Sequence, residues 1–170
     1  TLCNGAPALA NFRGDQATFD RHSSRAGADW SLLDRLRDAW GGSFVVKGVL
    51  DVEDAVRLQA AGVDGIIVSS HGGRQLDSAP PAILALRAIR DALGDIYPLF
   101  YDSGIRSGED IVKAYAMGAD YVFVGRALLF AMAAEGEVGL ARMAELMKKQ
   151  VSITLAQMGL LRMSDIPLLK

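Results

Sequence analysis

Sliding the chain along itself by 56 positions lays Gly48 on Gly104, Glu53 on Glu109, Asp54 on Asp110, Val56 on Val112, Ala60 on Ala116, Gly62 on Gly118, Asp64 on Asp120 and Val68 on Val124. Each period holds two short runs rich in β-branched and aromatic residues, each followed by a stretch with helical spacing. The repeating unit is therefore a pair of strand–helix modules, and every helix is long enough for a right-handed crossover between parallel strands. A duplication of this kind favours a barrel of βα units over an open doubly wound sheet. Four strands cannot close a barrel that needs about eight. The expected fold is thus α/β, and half of a (β/α)8 barrel.

The strands are expected at 43–48, 65–68, 98–102 and 121–124. Trp30, Leu33, Leu36, Arg37 and Trp40 mark a first packing helix, which Asp29 or Ser31 can cap and Gly41-Gly42 end. Asp51 with Asp54 opens a helix that stops at Gly62, and Ser107 with Asp110 opens one that stops at Gly118. Between them Pro80-Pro81 launches a helix with Ile83, Leu84, Leu86, Ala88 and Ile89 inward, ending near Gly94. A long amphipathic helix over 137–157 carries Leu140, Met143, Ala144, Met147, Val151 and Leu155 on one side, its methionines being core filler. Residues 1–28 show neither periodicity and read as a loop, with His22 a solvated histidine.

At 51% hydrophobic and 22% charged residues, with net charge −2, the chain can bury a substantial core and offers nothing to nucleic acid. Its single cysteine, Cys3, leaves no internal disulfide, nothing in the sequence resembles a zinc ligand set, and a reducing, cytoplasmic setting is expected. No apolar run approaches the roughly 18 residues that span a bilayer. The first residue is Thr1, which reads as a chain begun in the middle of something.

Polar residues gather where each strand ends. The second strand opens into Ser69-Ser70-His71-Gly72-Gly73-Arg74-Gln75. This joins a base that titrates near neutral pH to a planar fork that grips carboxylates, with glycines allowing close approach of a ligand. The bland alternative is a loop histidine capping a helix. Lys47 closes the first strand, where a lysine is costly unless it works or snorkels out at the tip. Asp102-Ser103-Gly104-Ile105-Arg106 and Gly125-Arg126 end the third and fourth, and look built as a phosphate cradle.

Taken together these tips resemble the C-terminal half of the FMN-dependent 2-hydroxy acid oxidases and dehydrogenases, the family of glycolate oxidase, lactate oxidase, mandelate dehydrogenase and flavocytochrome b2. That family's Ser-Asn-His-Gly-(Gly/Ala)-Arg-Gln is matched from Ser69 to Gln75, with Ser70 in place of the usual Asn. The order and spacing fit as well: 24 positions from Lys47 to His71, 31 from His71 to Asp102 and 55 from His71 to Arg126. The resemblance runs from about Trp30 to the end. It implies strands 5 to 8 of a TIM barrel over 29–170, with 1–28 the loop after strand 4, and a separate N-terminal chain completing the barrel.

By the same resemblance His71 takes a proton from an L-2-hydroxy acid, mandelate- or lactate-like, while Arg74 clamps its carboxylate. Lys47 stands against the N1 and C2-carbonyl edge of FMN, and Ser69 hydrogen-bonds the ring. Asp102, Ser103, Gly104, Ile105, Arg106, Gly125 and Arg126 hold the ribityl chain and phosphate. The family pattern implies further contacts from the first half of the barrel, an aspartate orienting the histidine among them, and Asp77 is too near His71 in sequence to be assumed its substitute. The electron acceptor is oxygen, a quinone or a cytochrome, the assembly a tetramer of complete barrels, and the place the cytoplasm or the inner face of a membrane. Two other readings remain open: a Schiff-base lyase using Lys47, and a half-barrel without catalysis.

Overall fold

The computed structural model describes residues 28–169, so the loop expected before them, with His22, lies outside the described residues. The chain separates into two compact units, 1–36 and 37–170. Helix α1 (Trp30–Ala39) starts where Asp29 accepts the Leu32 N–H at 2.9 Å, so of the two candidate caps the aspartate is the one used.

The second unit is a four-stranded, all-parallel sheet in the order β1-β2-β3-β4: β1 (Val45–Val49), β2 (Gly65–Val68), β3 (Leu99–Tyr101) and β4 (Tyr121–Val122). Sequential order with every strand parallel is the connectivity of a βα barrel wall. Helices α2 (Val52–Ala60), α3 (Ala82–Leu93) and α4 (Gly108–Ala116) make the crossovers. Asp51 accepts the Glu53 and Asp54 N–H groups at the start of α2, and Ser107 with Asp110 forms a reciprocal box at the start of α4.

Alternate strand residues face opposite ways. Ile66, Val68, Leu99 and Tyr101 are buried with the helices. The other face carries a row that runs across all four strands, Lys47↔Ile67↔Phe100↔Tyr121. It is apolar yet open, with Val45 41%, Tyr121 55% and Phe123 44% exposed.

Several expectations change in detail. The bonding of β1 continues past Lys47 to Val49 with a register shift between them, centred on Gly48 at φ 103, so Lys47 precedes a bulge instead of ending the strand. In α3 the inward residues are Ala82, Ala85, Leu86, Ile89, Arg90 and Leu93. Leu84, expected inside, is 62% exposed, and Ala88 also faces out. Leu86 and Ile89 face inward as expected, while Leu84 and Ala88 fall on the opposite side of the helix from that stripe.

The terminal helix has the extent expected, and a further helical stretch that the sequence pattern does not indicate precedes it. The helical run α5 (Arg126–Gln157) is broken at Glu135 and Gly136, and its second half carries Met147 and Leu155 into the core. That half lies so close to α4 that a Cβ on Gly108 would stand 2.5 Å from Met147 O and Val151 N, while Gln150 accepts the Gly108 N–H at 2.8 Å. Among the described residues no helix is long and apolar enough to cross a membrane.

Arg90 is the buried charge of this unit, 3% exposed. Its guanidinium donates to Gly118 O at 2.8 Å, Gly94 O at 2.7 Å, Tyr97 O at 2.9 Å and Asp120 Oδ2 at 2.7 Å. Asp120 also accepts the Leu99 N–H at 2.8 Å, which ties the entry of β3 to that of β4. The same device recurs one repeat earlier, where Asp64 accepts the Phe44 N–H at 2.7 Å and Arg37 Nη1 at 2.8 Å. Replacing Arg90 by alanine leaves three carbonyls and a carboxylate short of a donor, and we expect a loss of about 3 kcal/mol in urea unfolding. A loss below about 1 kcal/mol would show the cluster to be incidental.

Candidate active site

Because the strands are parallel, their C-terminal ends share one edge, and the four polar tips meet there. A cleft of about 230 Å³ is lined by Lys47, His71, Arg74, Asp102, Ser103, Gly104, Ile105, Arg106, Gly125 and Arg126, joined by Gly72, Phe123, Val124 and Leu129. Every residue singled out from the sequence is in that lining except Ser69. It lies beneath, buried, and is bonded to two of the others.

Lys47 is held from both sides: its Nζ donates to Ser69 Oγ at 2.6 Å and to Asp102 Oδ2 at 2.5 Å. The other Asp102 oxygen accepts the Ser103 hydroxyl at 2.9 Å. Burial alone would raise the Asp102 pKa. Hydrogen bonds from Lys47, Ser69 and Ser103, with the lysine charge, outweigh it and hold the carboxyl below its ordinary 3.8. Tyr101, next in the chain, is pushed up to about 12, first by burial and then by Asp102 and Asp110. Its hydroxyl donates to Ser103 O at 2.8 Å.

The His71 tip is a tight turn (His71–Gly73) with φ 53, 65 and 74 at three successive residues, a run that only the glycine pair makes accessible. The His71 N–H donates to Ser69 Oγ at 3.0 Å. Arg126 Nη2, from the start of α5, donates to Gly72 O at 3.0 Å and so joins the fourth tip to the second. Among the described residues neither the His71 imidazole nor the Arg74 guanidinium has a hydrogen-bond partner, so the capping alternative for His71 is not realised. Asp77 stands over Gly73, where a Cβ would meet its Oδ1 at 3.0 Å, and makes no bond to the imidazole.

The first turn of α5 is what reading the sequence missed. Its cap, Gly125, has no side chain to accept the leading N–H groups, and Gly125 and Arg126 stand in the same lining as Arg106. The available signal is the apolar run after Arg126, from Ala127 to Ala134, which Glu135 and Gly136 separate from the long terminal helix. Gly104, at φ 78, and Gly125 have open space where a side chain would stand, so backbone can approach a ligand at both.

A match to the FMN-dependent dehydrogenase family model covers residues 5–168. The chain belongs to that family. Among curated relatives, the L-lactate dehydrogenase of Caulobacter vibrioides is 44% identical over 165 residues, which are 93% of this chain and 42% of that protein. The L-lactate oxidase of Alicycliphilus denitrificans is 47% identical over 137 residues, 81% of this chain and 36% of its own length. A soluble mutant of the membrane-associated (S)-mandelate dehydrogenase from Pseudomonas putida superimposes with a TM-score of 0.79 at 44% identity, covering 85% of this chain and 42% of that one. The chain thus spans about two fifths of the length of these relatives. As a member of the FMN-dependent dehydrogenases it has the α/β half-barrel expected from its repeat.

The lowered pKa of Asp102 has a consequence for stability. A carboxyl whose folded value is depressed contributes stability that is complete above its unfolded value, near 3.8, and is lost as pH falls through the folded one. Replacing Asp102 with asparagine should flatten the acid limb of stability below about pH 4 by up to about 1.4 kcal/mol per pH unit. Urea midpoints taken from pH 5 down to 2.5 measure this, and parallel limbs for the two proteins would refute it.

Proposed function

We propose that this chain forms the cofactor-binding rim of an enzyme that oxidises an L-2-hydroxy acid, lactate- or mandelate-like, to the 2-oxo acid with FMN. The observation that carries the reading is the gathering of Lys47, His71, Arg74, Arg106 and Arg126 in one cleft lined by open glycines. This donor set suits FMN, with cations and uncapped helix N–H groups for its phosphate and a fixed cation for the electron-rich edge of its ring. Arg106, Arg126, Gly104, Ile105 and Gly125 would hold the phosphate and ribityl end, with Asp102 and Ser103 beside them, and Lys47 and Ser69 the ring. Bound FMN supplies the acceptor for the two electrons that leave the substrate.

The chain's own residues do the rest. Arg74, whose guanidinium is uncommitted, takes the substrate carboxylate in a two-point contact and so fixes which group faces the imidazole. His71 accepts at an imidazole nitrogen the proton that the substrate gives up. Asp102 and Ser69 hold the Lys47 Nζ in place beside the ring. The same pairing disfavours a Schiff-base lyase, which needs a free amine at Lys47.

The open apolar face of the sheet supports the further proposal that strands of the N-terminal half, as a separate chain, cover it and close the barrel, with complete barrels assembling as tetramers. Native mass spectrometry of the purified protein should find this chain with such a partner. The chain alone, monomeric and well folded, would refute that pairing. Electrons pass on to oxygen, a quinone or a cytochrome, at the inner face of the membrane or in the cytoplasm.

Anaerobic addition of lactate, glycolate or mandelate to the flavin-loaded assembly should bleach the yellow colour, and readmitted oxygen should restore it quickly in an oxidase and slowly in a dehydrogenase. His71→Gln should keep the colour and slow bleaching by at least about 100-fold. Loss of colour with bleaching intact would overturn the assignment of His71 as base.

A further inference from the structure

We propose that Ser103 is a positioning residue for His71: its hydroxyl holds the turn that aims the imidazole, and joins that turn to Lys47. The inference rests on His71 being the base, as proposed above, and gives the Ser103 side chain a task other than holding the cofactor.

The first support is backbone strain. Ser103 sits at φ 96, a region that residues with a Cβ rarely occupy and glycine enters freely. A serine kept there needs its side chain for something. Its uses are all visible: the hydroxyl donates to Asp102 Oδ1 at 2.9 Å and accepts the N–H groups of Ser70 at 3.1 Å and Gly72 at 3.3 Å. One hydrogen and two lone pairs are then fully engaged, and the hydroxyl has no proton left for a phosphate oxygen.

The second support is where those two N–H groups lie. They flank His71, whose own N–H goes to Ser69 Oγ at 3.0 Å. Three consecutive amides, 70 to 72, are thus gripped by two serine hydroxyls, and this fixes the backbone of His71 at φ 53. Both hydroxyls lead on to the same place, because Lys47 Nζ bonds Ser69 Oγ and Asp102 Oδ2. The bonds close a ring from Lys47 through Asp102 and Ser103 to the His71 turn and back through Ser69. The cation at the ring-binding end and the base are therefore set by one network.

The test compares wild type with Ser103→Gly and Ser103→Ala in the flavin-loaded assembly. Glycine removes strain and hydroxyl together, and alanine removes only the hydroxyl. Hydrogen exchange read on peptides covering 69–75 should quicken by about tenfold in both variants. The glycine variant should melt no lower than wild type. Its anaerobic bleaching at saturating lactate or mandelate should slow by about tenfold, with the half-saturating concentration changed less than about threefold.

Unchanged exchange in the glycine and alanine variants would overturn the contact. Faster exchange with unchanged bleaching would overturn its role in positioning the base, as would slower bleaching matched by a general loss of stability. A wild-type protein that bleaches with none of the three acids would overturn the proposed function and the catalytic half of this inference, while the exchange comparison would still decide the hydrogen bonds.

Discussion

The carboxylate of Asp102 is the junction on which the rim depends. It stands just beyond β3 and receives Lys47 from β1 on one oxygen and Ser103 on the other. Through the two serines its influence reaches the tip of β2. Three strand ends that the sheet alone would hold only by backbone bonds are thereby cross-linked by side chains on the ligand side. A half-buried carboxylate can do this because each donor favours its charged form, and together they overcome the cost of its burial. With no such centre, the lysine and the left-handed turn at His71 would each need a separate support.

The internal repeat shows which parts of the fold are scaffold. Asp64 and Asp120 play one role, each binding the backbone N–H that begins the preceding strand and an arginine from the helix side. Gly62 and Gly118, at φ 76 and 105, end equivalent helices, and Gly48 and Gly104, at φ 103 and 78, occupy equivalent positions, in the bulge of β1 and just past β3. At the tips the correspondence stops. A shift of 56 sets Lys47 against Ser103, Ser70 against Arg126 and His71 against Ala127. Duplication preserves what folds each module, while Lys47, His71 and Arg126 of the candidate site sit where the copies differ, as a barrel with its site on one face allows.

This division explains what could be read without coordinates. The strands, helix starts and rim residues were legible because they depend on local rules: β-branched runs, a serine or aspartate before a helix, a charge where a buried strand ends. Lys47 stood out since a lysine in such a strand must be compensated. Arg90 did not, because one arginine in an amphipathic helix looks like any other on its wet side, and its four acceptors come from segments up to 30 residues away. Leu84 looks internal by composition and is not, for two positions from Leu86 it falls on the opposite side of the helix. The start of α5 was hidden by Glu135 and Gly136, which break the periodicity that would have run back to Arg126. Ser103 could be named but its hydrogen bonds could not, since they depend on the left-handed backbone at both 71 and 103.

The face of the sheet opposite the helices bears on the same rim. Lys47 shares a row with Ile67, Phe100 and Tyr121, and Phe123 packs edge-on against both aromatic rings, at 5.2 Å from Tyr121 and 6.3 Å from Phe100. In a closed barrel such a row is a layer of the interior, filled from both halves. Left open, the apolar surface has water against it, and Lys47 is 43% exposed with its charge screened. Covering that layer would remove water from one side of the Lys47–Asp102 pair and strengthen every polar contact within it. Closure of the barrel would therefore couple to the electrostatics of the rim: the apolar burial that covers this layer would also lower the dielectric in which the lysine stands.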